Sequence, residues 1–206
     1  MISITTLIIV VTVVISLTAL NNPSLMEKLI MNPYLVTTEK QIYRTVTSGF
    51  VHAGWAHLGF NMFAFFFFGR VVEQYFNMIL GASGWLLYLV FYLTAIIASD
   101  FSTLFKHRHN PSYNSLGASG GVSAVVFMSI LYAPLNEIYI YFIKLPGFIF
   151  GILYVLYSYW QSKSSSDGIN HDAHLYGAIY GVIFGIIMYP PSAMGSIDQI
   201  FQFRLF

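Results

Sequence analysis

The chain has 206 residues, of which 57% are hydrophobic and 8% charged, against about 25% charged in a typical soluble domain. So few charges cannot cover a water-facing surface, which excludes a soluble globular protein and predicts an all-α membrane protein that spans the bilayer several times. The net charge of +1 gives no electrostatic basis for binding nucleic acid, and the absence of cysteine removes disulfides, thiolate nucleophiles and thiolate metal sites.

In chain order, Ile2–Leu20 is apolar over about 19 residues, long enough to span. It lacks a basic leader and a small-residue cleavage site, so it reads as a retained first helix and not a signal peptide. Residues 21–56 form one long polar connection carrying Asn22-Pro23 and Asn32-Pro33. His57–Phe76 and Ala82–Ser99 are the next two helical spans, and the run Phe65–Phe68 reads as lipid-facing. Phe105–Asn114 is a basic, turn-rich break. Ser119–Ala133 is a short fourth span, Leu135–Leu145 reads as an interfacial segment, and Pro146–Gln161 is the fifth span. A Ser/Gly loop at Ser162–Asn170 precedes the sixth, His171–Tyr189, whose Gly177, Gly181 and Gly185 make a small-residue face for close helix approach. The length fits a single membrane domain, residues 1–206, without a sizeable soluble module.

An even number of spans brings the starts of the second, fourth and sixth helices to the same side. Those starts carry His57 and Asn61, Ser119, and His174. Polar groups inside membrane segments are costly and mark function by default. A serine hydroxyl needs a base to become a nucleophile, and a neutral imidazole can accept and return a proton near neutral pH. Ser119 and His174 are therefore the candidate nucleophile and base. Asp172 lies two residues before His174 and so does not share its helix face, which favours a dyad over a triad. His57 and Asn61, four apart on one face, suit stabilisation of an oxyanion together with the Ser119 backbone N–H. Taken alone they could equally be satisfied polar core residues linking helices.

The stretch His52-Ala-Gly-Trp-Ala-His57-Leu-Gly-Phe-Asn61, then Gly117-Ala-Ser119-Gly120, then His174-Leu-Tyr-Gly177-Ala-Ile-Tyr-Gly181 resembles the rhomboid intramembrane serine proteases. The resemblance runs from the first span to the sixth with its motifs in order. It implies a six-transmembrane-helix bundle with a long first loop, and a cofactor-free endopeptidase acting on transmembrane protein substrates within the lipid bilayer. It implies Ser119 as nucleophile, His174 as base, His57 and Asn61 lining the oxyanion site, and His52 and Gly117 as supporting residues. Tyr43-Arg44 resembles the family's Trp-Arg pair of the first loop, and Glu73 falls where a glutamate often ties the end of the second span to a neighbouring loop. One position departs: the family often carries an aromatic ring four residues after the serine, packed on the catalytic imidazole, and here Ser123 stands there. His174 is then to be oriented by Ser123 or by a tyrosine close by.

Three other readings compete. Gly117-Ala-Ser119-Gly-Gly121 fits the nucleophile elbow of soluble hydrolases, but that motif needs a preceding strand, and Asn110–Leu116 is not strand-like. His52, His57, His171 and His174 with Asp172 could gather round a metal, yet no His-Glu-x-x-His is present and no metal is expected. A catalytically silent rhomboid-like protein that binds membrane helices would be expected to lack the serine or the histidine, and both are here. Lysines and arginines concentrate on the site's side (Lys28, Lys40, Arg44, Lys106, Arg108 and Lys163, against Arg70, Lys144 and Arg204), which by charge alone puts the site in the cytoplasm. The resemblance implies the opposite, non-cytoplasmic side, and a minimal chain without appended domains points to a bacterial plasma membrane. Nothing in the residues indicates an oligomeric state.

Overall fold

The computed structural model describes residues 3–140, 142–164 and 168–203. Each of the six predicted spans is a helix, and their ends differ from expectation by a few residues. Ile2, Arg204 and residues 165–167 of the Ser/Gly loop lie outside the described residues.

Helix α1 (Ile4–Leu20) starts where the Ser3 hydroxyl accepts from the Thr6 N–H. Its inward residues are Thr5, Ile8, Thr12, Ser16 and Ala19, while Leu7, Val10, Val11 and Val14 face outward. Small and polar inside, apolar outside, is the reverse of a soluble helix and suits lipid surroundings. The long polar connection is not open loop. Asn22 and Asn32 each accept from the N–H three residues on and Pro follows at the first helical position, so both Asn-Pro pairs start helices: α2 (Pro23–Leu29) and α3 (Pro33–Thr38). A short α4 (Arg44–Thr47) follows. Buried Arg44 donates to the carbonyls of Glu27 (2.7 Å) and Ile30 (2.8 Å) at the end of α2, and to Gln41 (2.6 Å), stitching this connection together.

α5 (Trp55–Leu80) and α6 (Gly84–Ser99) fold back on each other across a one-turn link, with Phe76 meeting Tyr88 and Phe65 meeting Tyr92. The phenylalanine run is only partly outward: Phe66 and Phe67 are exposed, but Phe65 is in the core. Glu73 of α5 reaches the first turn of α1, accepting from the N–H groups of Ile4 (2.7 Å) and Thr5 (3.1 Å) and from the Thr5 hydroxyl (2.8 Å). A carboxylate at a helix N-terminus satisfies donors that have no partner within the helix and complements the helix dipole. The partner of Glu73 is thus a helix start, where a loop was expected.

After α7 (Phe101–His107), the chain enters α8 (Ser119–Tyr132), the central helix, buried at every residue from Gly120 to Ile130. It packs against α5, α6, α9 (Gly147–Ser164) and, most extensively, α10 (His171–Met188). The all-α expectation needs correction at 135–145. Glu137–Ile140 (β1) and Ile143–Pro146 (β2) pair antiparallel with Ile140 opposite Ile143. β-Branched and aromatic residues there favour the extended backbone. A last helix, α11 (Pro191–Gln202), follows α10 through a 113° bend. By length and hydropathy, among the described residues, the helical run Trp55–His107 is long and apolar enough to cross a membrane. α10 qualifies only together with α11, and α1 and α8 are apolar but shorter.

Candidate active site

Ser119 is the first residue of α8, and the loop before it is held from several sides. Met31 and Ser115 exchange backbone hydrogen bonds (2.9 and 3.0 Å), and the Gly117 N–H donates to the Ser48 carbonyl (2.9 Å). Asn32 donates to the Pro111 carbonyl and to Asn114, both at 3.0 Å. The long first connection therefore braces the approach to the serine.

His52 supplies the innermost brace. Its Nε2 accepts from the Ala118 N–H (3.3 Å), so its proton is on Nδ1, which donates to Ser16 Oγ (2.9 Å); Ser16 in turn donates to the Phe50 carbonyl (2.8 Å). Every member of this buried relay is satisfied, and it requires a neutral ring. Burial, followed by the neighbouring His57, pulls the His52 imidazole down from 6.5 to about 3. Ser16, the one serine of α1, was the available signal for this partner, since a polar group in a span needs a reason.

Gly117 has φ 122°, in the left-handed region that glycine tolerates, and a Cβ there would fall 2.6 Å from His57 Cε1. The bare glycine lets the His57 ring lie against the loop. His57 Nδ1 accepts from the Ala53 N–H (3.4 Å), leaving Nε2 as the protonated nitrogen. Asn61, one turn on and buried, donates to the His57 carbonyl (2.9 Å).

α10 meets α8 through glycines. A methyl on Gly177 would collide with the Gly120 carbonyl, and one on Gly181 with the Ala124 carbonyl. Gly121, the residue after Gly120, faces Ile96 and Tyr92 of α6 instead. The start of α10 is fixed by Asn170, which accepts from the Ala173 N–H (3.1 Å) and donates to Thr103 of α7 (2.8 Å). Asp172 pairs with Lys106 at 2.6 Å.

Ser119, His174, His57 and Asn61 all line one cavity of about 1100 Å³. His52 and Gly117 lie behind its wall. Beside this polar end the lining is apolar, with Phe60 and Phe68 from α5, Val122 and Val126 from α8, and Phe150 and Tyr154 from α9. Ser123 also lines it, and its hydroxyl shares a 2.6 Å hydrogen bond with the Tyr154 hydroxyl. The Tyr154 ring lies 6.2 Å from the His174 ring, centroid to centroid. No spacing rule could have named Tyr154, which belongs to a different helix from Ser119 and Ser123. The histidines form two ring pairs, His52 with His57 and His171 with His174. Among the described residues no three potential metal ligands gather.

A model of the Rhomboid domain matches residues 39–191. Two similar proteins are both from Arabidopsis thaliana. RHOMBOID-like protein 12, mitochondrial, is 24% identical over 165 residues, covering 74% of this chain and 49% of that protein. Rhomboid-like protein 11, chloroplastic, is 34% identical over 89 residues, covering 43% and 29%. The chain thus spans about half or less of the length of these curated relatives. Their organellar names do not support the expected bacterial plasma membrane. With three helix starts carrying the family's motifs around one cavity and the domain match running over most of the sequence, this membrane chain belongs to the rhomboid family.

Proposed function

We propose that the chain is an intramembrane serine endopeptidase that cuts membrane-anchored proteins through a Ser119–His174 dyad, within a bundle of six spans formed by α1, α5, α6, α8, α9 and α10. One observation carries this reading. Ser119 and His174 lie in the first turns of two helices in glycine-mediated contact and line the same cavity, with His57 and Asn61 beside them. The length of α8 adds support. Its 14 residues reach about 21 Å at 1.5 Å per residue, less than the roughly 30 Å of hydrocarbon. With its far end at the opposite interface, its start is recessed below the membrane surface, where non-helical backbone is tolerated only inside protein or beside a water-filled cavity.

A substrate helix must unwind before its carbonyl can meet a nucleophile, because helical backbone groups are already paired. The unwound segment lies in the cavity, its side chains against the apolar walls. His174 takes the Ser119 hydroxyl proton as Oγ attacks the scissile carbonyl carbon. The resulting oxyanion is held by the Ser119 N–H, by His57 Nε2–H and by Asn61. Collapse expels the amine, protonated by His174, and leaves an acyl ester on Ser119. Water, deprotonated by His174, then hydrolyses the ester and restores the enzyme. No metal or cofactor enters any step. The cavity mouth opens on the non-cytoplasmic side in this reading, which the family resemblance supports.

The test is cleavage of a model transmembrane substrate by the reconstituted chain. Ser119→Ala and His174→Ala are expected to be inactive, and turnover surviving in either overturns the dyad. Asn61→Ala should slow turnover about 100-fold, the usual cost of one oxyanion donor. Fluorophosphonate labelling that disappears in Ser119→Ala separates a protease from a silent helix-binding relative.

A further inference from the structure

We propose that Tyr154, on α9, is the positioning residue for the His174 imidazole, and that Ser123 holds it in place. The inference rests on the proteolytic reading above. It assigns the alignment of the base to a helix that carries neither nucleophile nor base.

Ser123 lies one helical turn after Ser119, so both project from the same side of α8. A hydroxyl that short fills little of the space beneath the base. Tyr154 fills it from across the cavity: its hydroxyl bonds Ser123 Oγ at 2.6 Å, and its ring is inclined 31° to the His174 ring at a centroid separation of 6.2 Å. That separation is within the range over which aromatic rings pack favourably, about 4.5–7 Å. The Tyr154 ring is itself gripped, by Phe127 of α8 at 5.4 Å and by Phe150 at 5.8 Å. Among the described residues, the other ring against His174 is His171, edge-on at 5.7 Å and from the base's own helix. Tyr154 is therefore an aromatic contact that ties His174 to a different element.

A consequence follows for how the site works. With the ring on α8, base and nucleophile would be aligned by one rigid helix. With the ring on α9, alignment requires α9 to be seated. A displacement of α9 that breaks the Ser123–Tyr154 bond also withdraws the surface on which His174 rests.

The test compares wild type, Ser123→Ala, Tyr154→Phe, the Ser123→Ala/Tyr154→Phe double variant and Tyr154→Leu. All are full-length and reconstituted in liposomes. Tyr154→Leu should lower kcat about 100-fold, the scale of a 1 Å misplacement of a catalytic group, with KM changed far less. Ser123→Ala and Tyr154→Phe should each lower kcat about fivefold, as one lost hydrogen bond does. The double variant should be no worse than either single, because both remove the same bond. An activity-independent readout is the NMR resonance of the His174 ring, assigned by its loss in His174→Gln. It should move in Tyr154→Leu as the neighbouring ring is removed. An unmoved resonance, unchanged kcat, or additive losses in the double variant overturn the positioning role. A wild type that neither labels at Ser119 nor cleaves overturns the proteolytic reading instead, and the resonance still decides whether Tyr154 seats the histidine.

Discussion

The α8–α10 seam and the α8–α9 seam face the same cavity but are closed by different means. Between α8 and α10 backbone meets backbone, with the Gly120 and Ala124 carbonyls lying where side chains of Gly177 and Gly181 would be. Between α8 and α9 the contacts are made by side chains, Ser123 with Tyr154 and Phe127 with Tyr154, and a Cβ added at Gly151 would lie an ordinary 3.5 Å from the Ile130 and Phe127 side chains. α9 is also sparsely buried, with Gly147, Gly151 and Ser158 as its buried residues. A glycine seam fixes the distance between two helices and tolerates no added atom, because a backbone cannot swing aside. A side-chain seam can part at the cost of a few contacts. The proposed nucleophile and base sit on the rigid seam, and the seam held by side chains is the one that parts more readily.

The sharpest way to break this contrast is to add one methyl to each seam. Gly181→Ala drives its Cβ into the Ala124 carbonyl and should destabilise by about 3 kcal/mol, the upper end of overpacking costs, and abolish cleavage. Gly151→Ala should leave stability unchanged or raise it by up to about 1 kcal/mol, since a methyl there makes only normal contacts and alanine favours the helix over glycine. Thermal unfolding in one detergent checks both, and equal effects would dissolve the distinction. A smaller effect is expected at the brace between α5 and α1. Glu73→Gln turns an amide towards the Thr5 donors and should cost about 1–3 kcal/mol for unsatisfied buried groups. Fluorophosphonate labelling at Ser119 should persist, because Glu73 lies off the cavity lining.

A pH dependence is also expected. His52 titrates near 3 in the folded chain against 6.5 ordinarily, so below 6.5 the unfolded state binds a proton that the folded state refuses. Its contribution is fully present above pH 6.5 and declines as the pH falls towards 3, by at most about 1.4 kcal/mol per unit. Unfolding midpoints at pH 7.5 and 5.0 should differ in wild type, and the difference should shrink in His52→Gln. A wild-type midpoint that does not fall between those values would remove the neutral-ring requirement.

Much of the helical layout was legible in the residues alone. Apolar runs bounded by Pro, Gly and Asn name helices reliably where the surroundings are lipid, because unpaired backbone has no alternative there. The hairpin at 137–146 escaped because its sequence does not alternate cleanly, and the helices within residues 21–56 escaped because Asn-Pro signals a cap as readily as a break. Ser119, His174, His57 and Asn61 stood out as polar residues at the starts of apolar helices, and topology put those starts on one side. What stands behind them did not stand out. Ser16 and Tyr154 are each far in sequence from the groups they touch.

Sequence by itself determined the solvent this chain needs, the order of its helices and which polar residues had to be explained. Those follow from composition and period, which are properties of neighbours along the chain. Only the tertiary structure decided that Glu73 caps α1, that Ala118 is held through His52 by Ser16, and that the ring beside His174 comes from α9. Each of these is a contact between separate helices, set by how their surfaces interlock and by the small residues that let them approach.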